Sequence, residues 1–467
     1  MECGCRVPSC ENRIFRYRVS VKRGHQTARI VSLALILCVK IRVTAALGAE
    51  NWDASFGVPG ASGTVTALSF FGDDLIAVGG FAAIGGTDAA RIARFDGTSW
   101  HPLGTGLSSS AIPTVRALAT FRGCVYAAGA FTQAGASPVR NIARWDGTNW
   151  WPCGEGISGS GLVIVRTMTV SGDRLIVGGT FSMAGGLATP NIASWDGSNW
   201  SQLGNGIAGT AVDSLAASGT TIYAGGRFRL GGGLNATNVA MWNGTSWSAL
   251  GEGLRDWDAG GGGGGIVRAL ALWGPNLIAG GTFRLAGGVS ALDIAMWNGS
   301  NWLGFGDGID PSGTIYAISA VGNDLVAGGF FSSAGTNAVN SMARWDRKTW
   351  FSFAGGVIFD GSPGVVNALV SNGTELYVGG GFNVAGGLTA NNIALWHIPH
   401  SLNIQRLAKE IVLSWPATGT NFLLEATSDL GAPNWQGISG TPDIVNEQCV
   451  VTLAPGPGNQ FFRLRRR

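Results

Sequence analysis

The segment Gly178–Gly206 reads GGTFSMAGGLATPNIASWDGSNWSQLGNG, and this sequence motif decides the fold. A glycine doublet leads to Phe181, a glycine-rich loop follows, and the stretch NIASWDGSNW ends on Trp200. Asp196-Gly197 supplies the positive φ that a tight hairpin turn requires. Short runs of apolar and aromatic residues on both sides of this turn predict antiparallel strands.

The same sequence motif occurs seven times. Its anchoring phenylalanine recurs at intervals of 47 to 55 residues, at Phe81, Phe131, Phe181, Phe228, Phe283, Phe331 and Phe382. With 76 glycines in 467 residues the chain is not a helical bundle, because each glycine weakens a helix interior by about 1 kcal/mol. Seven units of four short strands predict a seven-bladed β-propeller rather than a solenoid with helical arms.

The two ends of the array complement each other. The last unit keeps Trp396 but lacks the turn and the second tryptophan, whereas residues 51–57 read NWDASFG and place Trp52 in that second position. We therefore expect an N-terminal strand to complete the seventh blade, which closes the ring and covers a sheet edge. Thirteen of the 18 tryptophans occupy the two repeated positions, so packing between blades explains them better than stacking on sugars.

The glycine doublet with spaced aromatics resembles kelch-type propellers, the class that includes the central domain of galactose oxidase. The wording GG-x-F, N-I-A-R-W-D-G and W-x-x-L-G-x-G is closer still to bacterial secreted delta-60-type propeller repeats and to the ectodomain repeats of fungal cortical polarity-marker proteins. The resemblance covers about residues 51–398. It implies a propeller in an extracytoplasmic location with an interaction role. The copper site of the kelch oxidases needs Tyr and His together, and no matching His accompanies the tyrosines here, so we expect no cofactor.

Composition divides the chain into three parts. Residues 1–49 form a signal or leader segment, 50–398 the kelch-like propeller, and 402–467 a small C-terminal β-sandwich. In the leader a basic region precedes an apolar run at 31–39 and small residues, which predicts a secretory signal cleaved near Ala49. A disordered cytoplasmic leader is the alternative. The run is far shorter than the ~20 residues that a membrane-spanning helix needs, so no such span is expected.

The C-terminal part has sequence motifs of its own. LSWP, LEATSDL and FFRL between residues 413 and 464 resemble a terminal module of large secreted proteins from verrucomicrobia-like bacteria. This resemblance implies a fibronectin-like sandwich that assists secretion, surface attachment or partner contact.

Charge excludes one class of partner. Removing the nine basic and three acidic residues of 1–50 from the totals of 31 and 28 leaves 22 basic and 25 acidic residues. A body of this charge has no electrostatic footprint for nucleic acid. Cys124 and Cys153 have neither a CxxC partner nor a histidine pair nearby, which speaks against a structural zinc site and leaves their pairing open.

One polar residue interrupts the apolar first strand of every unit. The innermost strand of a propeller blade borders the central channel, so we expect these side chains at the channel mouth. An arginine fork matches carboxylate geometry, which predicts a site for a small anion or a carboxylate-bearing ligand. The alternative is an Arg–Asp–Arg network solvated by channel water. The residues are Thr66, Arg116, Arg166, Asp213, Arg268, Tyr316 and Asn367.

A second candidate lies in the insertion that lengthens one interval to 55 residues. Asp256, Trp257 and Asp258 on this loop would contact a sugar or a cation, and the alternative is a slack insertion without a ligand. The chain has no nucleophile signature, no carboxylate pair and no cluster of histidines for a metal. We expect a non-catalytic binding scaffold for a protein or glycan, with a secreted polysaccharide hydrolase or lyase as the alternative.

Overall fold

The structure is a computed structural model, and it describes residues 51–109, 114–229, 236–256, 264–398, 402–407, 410–416, 422–429, 434–438, 440–445, 448–456, 458 and 460–466. Strands are the only regular elements of these ranges, so the described chain is all-β. No helix within them has the length and apolar character to cross a membrane. The leader at 1–49, Trp257 and Asp258 lie outside the described residues.

Seven successive units each build one antiparallel sheet in which the strands follow chain order, a propeller-like arrangement. The first strands are Val65–Phe71, Thr114–Phe121, Ile164–Ser171, Gly209–Ser218, Ile266–Trp273, Thr314–Val321 and Val365–Ser371. The second strands are Asp74–Gly79, Cys124–Ala130, Arg174–Thr180, Thr221–Arg229, Asn276–Thr282, Asp324–Phe330 and Glu375–Gly381. The third strands are Ile92–Phe95, Ile142–Trp145, Ile192–Trp195, Thr237–Trp242, Ile294–Trp297, Met342–Trp345 and Ile393–His397. The fourth strands of the first six units are Trp100–Pro102, Trp150–Pro152, Trp200–Ser201, Trp247–Ala249, Trp302–Gly304 and Trp350–Ser352.

The recurring aspartate shapes the turn between the third and fourth strands. Trp145 pairs with Trp150, so the loop between them has four residues. Within it Gly147 has a φ of 105°, as the sequence predicts. One carboxylate oxygen of Asp146 accepts hydrogen bonds from the backbone N–H groups of Thr148 and Asn149, at 2.9 and 2.8 Å. This aspartate is therefore a turn residue.

Neighbouring units are joined along their first strands and through tryptophan. Each first strand contacts the first strand of the next unit, and that of the seventh unit contacts that of the first. At six junctions the second tryptophan donates its Nε1–H to a backbone carbonyl oxygen of the preceding unit. These bonds, of 2.8–3.0 Å, are Trp52 to Ala354, Trp150 to Leu103, Trp200 to Cys153, Trp247 to Leu203, Trp302 to Leu250 and Trp350 to Phe305.

The N-terminal segment pairs with the last unit. Trp52 forms an antiparallel bridge with Trp396. In the second unit Trp150 pairs with Trp145 in the same way. The backbone N–H of Asp53 donates to the carbonyl oxygen of Leu395 at 2.9 Å. The seventh sheet, which has three strands of its own, thus receives Trp52 where the other sheets have a fourth strand.

Short hairpins between the second and third strands make further links between units. Where pairing is seen, each hairpin bonds the segment that follows the fourth strand of the preceding unit. The two-residue hairpin strands are Ala83–Ile84, Thr87–Asp88, Gln133–Ala134, Ser137–Pro138, Met183–Ala184, Leu187–Ala188, Leu285–Ala286, Val289–Ser290, Ser333–Ala334, Asn337–Ala338, Val384–Ala385 and Leu388–Thr389. The linking strands are Leu107–Ser108, Ile157–Ser158, Leu254–Arg255 and Val357–Phe359, and Ser362–Pro363 pairs with the last of these.

The C-terminal part has two antiparallel sheets that share one apolar cluster. The first sheet has the order Asn403–Arg406, Ile411–Pro416, Gln448–Leu453 and Asp443–Val445, and the second has the order Gln436–Gly437, Phe422–Thr427 and Phe461–Arg466. Leu413 and Trp415 of the first sheet and Leu424 of the second lie in the cluster. Beside it Glu425 accepts hydrogen bonds from Arg463 and Arg465, both in the strand Phe461–Arg466.

Candidate functional site

A β-bulge lies at the same place in every first strand. The pairing with the second strand skips one residue at this place in each unit, and the fourth unit also skips Thr210. The residues skipped at the shared place are the seven polar positions that the sequence singles out. They are Thr66, Arg116, Arg166, Asp213, Arg268, Tyr316 and Asn367. A bulge leaves its residue outside the ladder and re-aims its side chain. The same backbone feature, a β-bulge, therefore sets the direction of all seven side chains.

A glycine opposite the bulge makes room for it. It is the residue two places before the anchoring phenylalanine, and a Cβ there would lie far inside 3.0 Å of a carbonyl oxygen of the first strand or, in the first unit, of Thr64 just before that strand. No side chain fits at such a distance, so this recurring glycine is required by the close approach of the two backbones. The glycines are Gly79, Gly129, Gly179, Gly226, Gly281, Gly329 and Gly380.

Bulge residues bridge neighbouring units. Arg166 lies 3.5 Å from the carboxylate of Asp213 in the next unit. The guanidinium of Arg268 lies over the ring of Tyr316, 5.4 Å from its centroid. Asn367 donates to the carbonyl oxygen of Val65, which belongs to the first unit. The polar positions of successive first strands therefore face one another.

Positive charge exceeds negative charge around Asp213. Its carboxylate, 6% exposed, pairs with Arg166 and with Arg227, whose Nε lies 3.2 Å away. Burial is the largest influence on the pKa of Arg166 and lowers it, Asp213 opposes this effect, and Arg227, Arg116 and Arg268 lower it further. We call these four arginines with Asp213 the arginine cluster. Four guanidinium groups against one carboxylate leave an excess of positive charge in the cluster.

Two members of the cluster have no carboxylate partner among the described residues, namely Arg116 and Arg268. The Nε of Arg268 is buried without a hydrogen-bond partner. A buried N–H donor of this kind costs free energy until an acceptor reaches it. The cluster can therefore accept an anionic group through charge-assisted hydrogen bonds.

Sequence reasoning missed Arg227. It occupies the residue before the anchoring phenylalanine, where the other units have Gly80, Ala130, Thr180, Thr282, Phe330 and Gly381. A single charged residue at a repeated position otherwise free of charge was the signal that could have identified it.

The inserted loop is described only in part. Asp256 lies 3.2 Å from the Nε of Arg284, so its carboxylate has a cationic partner within the protein. Trp257 and Asp258 lie outside the described residues, and the loop's role as a site stays a prediction. Across the described ranges, no group of three or more His, Cys, Asp or Glu side chains is placed to hold a metal ion.

The cysteines of the propeller-like part are not bonded to each other. Cys124 and Cys153 are buried free thiols. Burial raises the pKa of the Cys153 thiol to about 12. The two cysteines therefore do not form a disulfide, and both are inert thiols in an apolar core.

Comparisons with known proteins identify no family. No protein-family model matches this chain, and no curated protein matches its sequence. Among solved structures, the computationally designed Ika8 protein is 15% identical with a TM-score of 0.39, over 76% of this chain and 94% of that one. The structure of YCF48 bound to D1 peptide is 12% identical with a TM-score of 0.44, over 75% of this chain and 96% of that one. Both identities are too low to indicate a shared function.

Proposed function

We propose that the chain is a seven-bladed, kelch-like β-propeller of the delta-60 type, closed by its N-terminal segment and followed by a small β-sandwich. The unbroken succession of contacts between first strands supports seven blades. The bridge from Trp52 to Trp396 supports closure by the N-terminal segment. The signal-like pattern within 1–49 and the resemblance to secreted delta-60-type repeats support an extracytoplasmic location.

We propose further that this propeller is a non-catalytic binding scaffold for a protein or glycan ligand that presents carboxylate groups. The observation that carries the proposal is the arginine cluster, in which the Asp213 carboxylate pairs with Arg166 and Arg227 while Arg116 and Arg268 add positive charge near Arg166. A recess with an excess of one charge concentrates counter-charged ligands and raises their association rate. Arginine suits such ligands because its planar fork binds a carboxylate through two hydrogen bonds.

A binding screen with a turnover assay tests this function. The full chain is applied to acidic glycans, neutral glycans and acidic peptides at low and physiological salt, and the solution is analysed for cleaved products. We expect retention of carboxylate-bearing ligands that weakens with salt, without product formation, because screening reduces the attraction between separated charges. Cleavage of a polysaccharide would instead establish the hydrolase or lyase. Retention of carboxylate-bearing ligands that stays the same at low and physiological salt would contradict the role of the cluster.

A further inference from the structure

An open cleft of about 810 Å³ lies beside the N-terminal segment, apart from the residues of the arginine cluster. Asp53 and Phe56 of that segment line one part of it. Trp100 of the first unit and Glu375 and His397 of the seventh line the rest. We call this the closure cleft. Its volume falls within the ~300–1,000 Å³ of small-molecule sites.

The cleft exists because this junction departs from the repeat. After its single bridge to Trp396, the N-terminal segment turns away, held by Asp53, whose Oδ1 accepts hydrogen bonds from the backbone N–H groups of Ser55 and Phe56 at 2.8 and 2.9 Å. No carbonyl of the segment reaches Trp100. Its indole Nε1–H has no hydrogen-bond partner among the described residues, in contrast to the other six second tryptophans.

Trp100 is only 6% exposed, yet it lines the cleft. Its Nε1–H is not among the fully buried atoms that lack a partner, so it is open to solvent and no acceptor from the described residues occupies it. A ligand in the cleft can supply that acceptor, which points to a ligand with acceptor atoms.

Aromatic rings form the apolar wall of the cleft. The ring of Phe56 lies 5.2 Å from that of Phe95, 6.1 Å from Trp100 and 5.5 Å from Tyr377, measured between centroids. Phe95 ends a third strand where the other six units have tryptophan. A phenyl ring is smaller than an indole, which leaves room beside Trp100 that the other junctions lack.

Acidic groups form the polar wall. His397 lies between two carboxylates, with Nε2 3.3 Å from Asp53 and Nδ1 3.7 Å from Glu375. Glu375 also accepts a hydrogen bond of 2.6 Å from the Tyr377 hydroxyl. None of the described residues that line the cleft is lysine or arginine. Burial would raise the pKa of Asp53, but hydrogen bonds from Ser55, Phe56 and His397 lower it to about 2, so its carboxylate is charged at neutral pH.

These walls select a ligand class. An anion would meet two carboxylates and, among the described lining residues, no Lys or Arg. An ammonium or guanidinium ligand has no acceptor for the Trp100 N–H. A sugar has hydroxyls that both donate and accept, and its C–H face packs on aromatic rings. We propose that the closure cleft binds an uncharged glycan, at a site separate from the arginine cluster.

Titration of the full chain with short neutral oligosaccharides of glucose, xylose, mannose, galactose and N-acetylglucosamine tests the proposal. Calorimetry and tryptophan fluorescence report the affinity. Phe95→Trp restores the residue of the other units, and we expect it to abolish binding while the protein stays folded. Trp100→Phe keeps a ring and removes the N–H, and we expect binding about three- to tenfold weaker, since one hydrogen bond is lost.

Two controls separate this site from other effects. Trp150→Phe removes an N–H that bonds Leu103, so it should lower stability and leave glycan binding unchanged. Arg268→Ala alters the arginine cluster and should also leave it unchanged. Undiminished binding by a folded Phe95→Trp variant would overturn the proposal. So would the absence of binding to every neutral oligosaccharide, or preference for a peptide or an amine.

Discussion

Asp293 breaks a hydrogen-bonding pattern that recurs before the third strand. The residue at this place has a positive φ in all seven units, and asparagine tolerates that conformation well. Where it is asparagine, its Nδ2 donates to a backbone carbonyl oxygen at 2.8–2.9 Å, as Asn141, Asn191, Asn238 and Asn392 do. Asp293 has no amide to donate, but its Oδ1 still accepts a hydrogen bond from the backbone N–H of Phe283 at 2.8 Å. Its Oδ2 is buried without a partner.

This aspartate should make stability depend on pH. It is 2% exposed, and burial is the main cause that raises its pKa from 3.8 to about 7, with the Phe283 N–H and Arg284 opposing and Asp256 and Asp310 adding. The folded state thus holds a proton that the unfolded chain releases near pH 4. The contribution of Asp293 is fully present below pH 4 and is lost as pH rises to about 7. The shift corresponds to about 4 kcal/mol in the free energy of unfolding.

Asp293→Asn restores the amide of the other units and removes the titrating group. We expect it to raise the free energy of unfolding at pH 8 by up to about 4 kcal/mol relative to the native chain, and by much less at pH 4. Unfolding midpoints in denaturant at pH 4, 6 and 8 measure this difference, in which all other titrating groups cancel. The reverse change, Asn191→Asp, should introduce the same pH dependence. A difference between Asp293→Asn and the native chain that stays constant from pH 4 to 8 would refute the reasoning.

Three further predictions follow from the repeat. Gly79→Ala should lower stability by about 2–4 kcal/mol because its Cβ would overlap the Thr64 carbonyl, whereas at the neighbouring Gly80→Ala that oxygen is 4.0 Å away and denaturation should show a change below about 1 kcal/mol. Trp200→Phe leaves the Cys153 carbonyl oxygen without its donor and should cost about 1–3 kcal/mol more than Trp100→Phe in the same melt, because Trp100 loses ring volume but no hydrogen bond. Cys153 should stay unmodified by a thiol reagent in the native state and react after unfolding, as followed by peptide mass spectrometry; modification of the native chain would contradict its burial.

Sequence periodicity predicted the repeating units and much of their chemistry. The interval between phenylalanines located the four strands, the Asp-Gly wording located the turn, and alignment of the first strands found the seven polar residues. These features are local or repeat at fixed offsets, so one unit is a template for the rest.

The remaining features depend on strand register and on breaks in the repeat. The bulge cannot be read from alternation of apolar and polar residues, because a skipped pair leaves the composition unchanged. The closure cleft arises where residues after Trp52 leave the path of a fourth strand and where Phe95 replaces a tryptophan. When the seven units are aligned, Phe95, Arg227 and Asp293 differ from the residue type that most other units have at the same position. Such differences would have located these sites.

Binding by the double variant Arg166→Ala, Arg268→Ala tests the central claim most directly. Calorimetry with a carboxylate-bearing oligosaccharide gives Kd, and thermal unfolding gives stability. Arg344→Ala is the matched control, since it removes an Arg–Asp pair of 2.8 Å with Asp324 outside the arginine cluster. We predict a Kd at least roughly tenfold higher for the double variant and unchanged for the control, because charge-assisted hydrogen bonds are lost only in the first. An unchanged Kd together with a lower unfolding temperature would instead mean that the arginines form a solvated structural network.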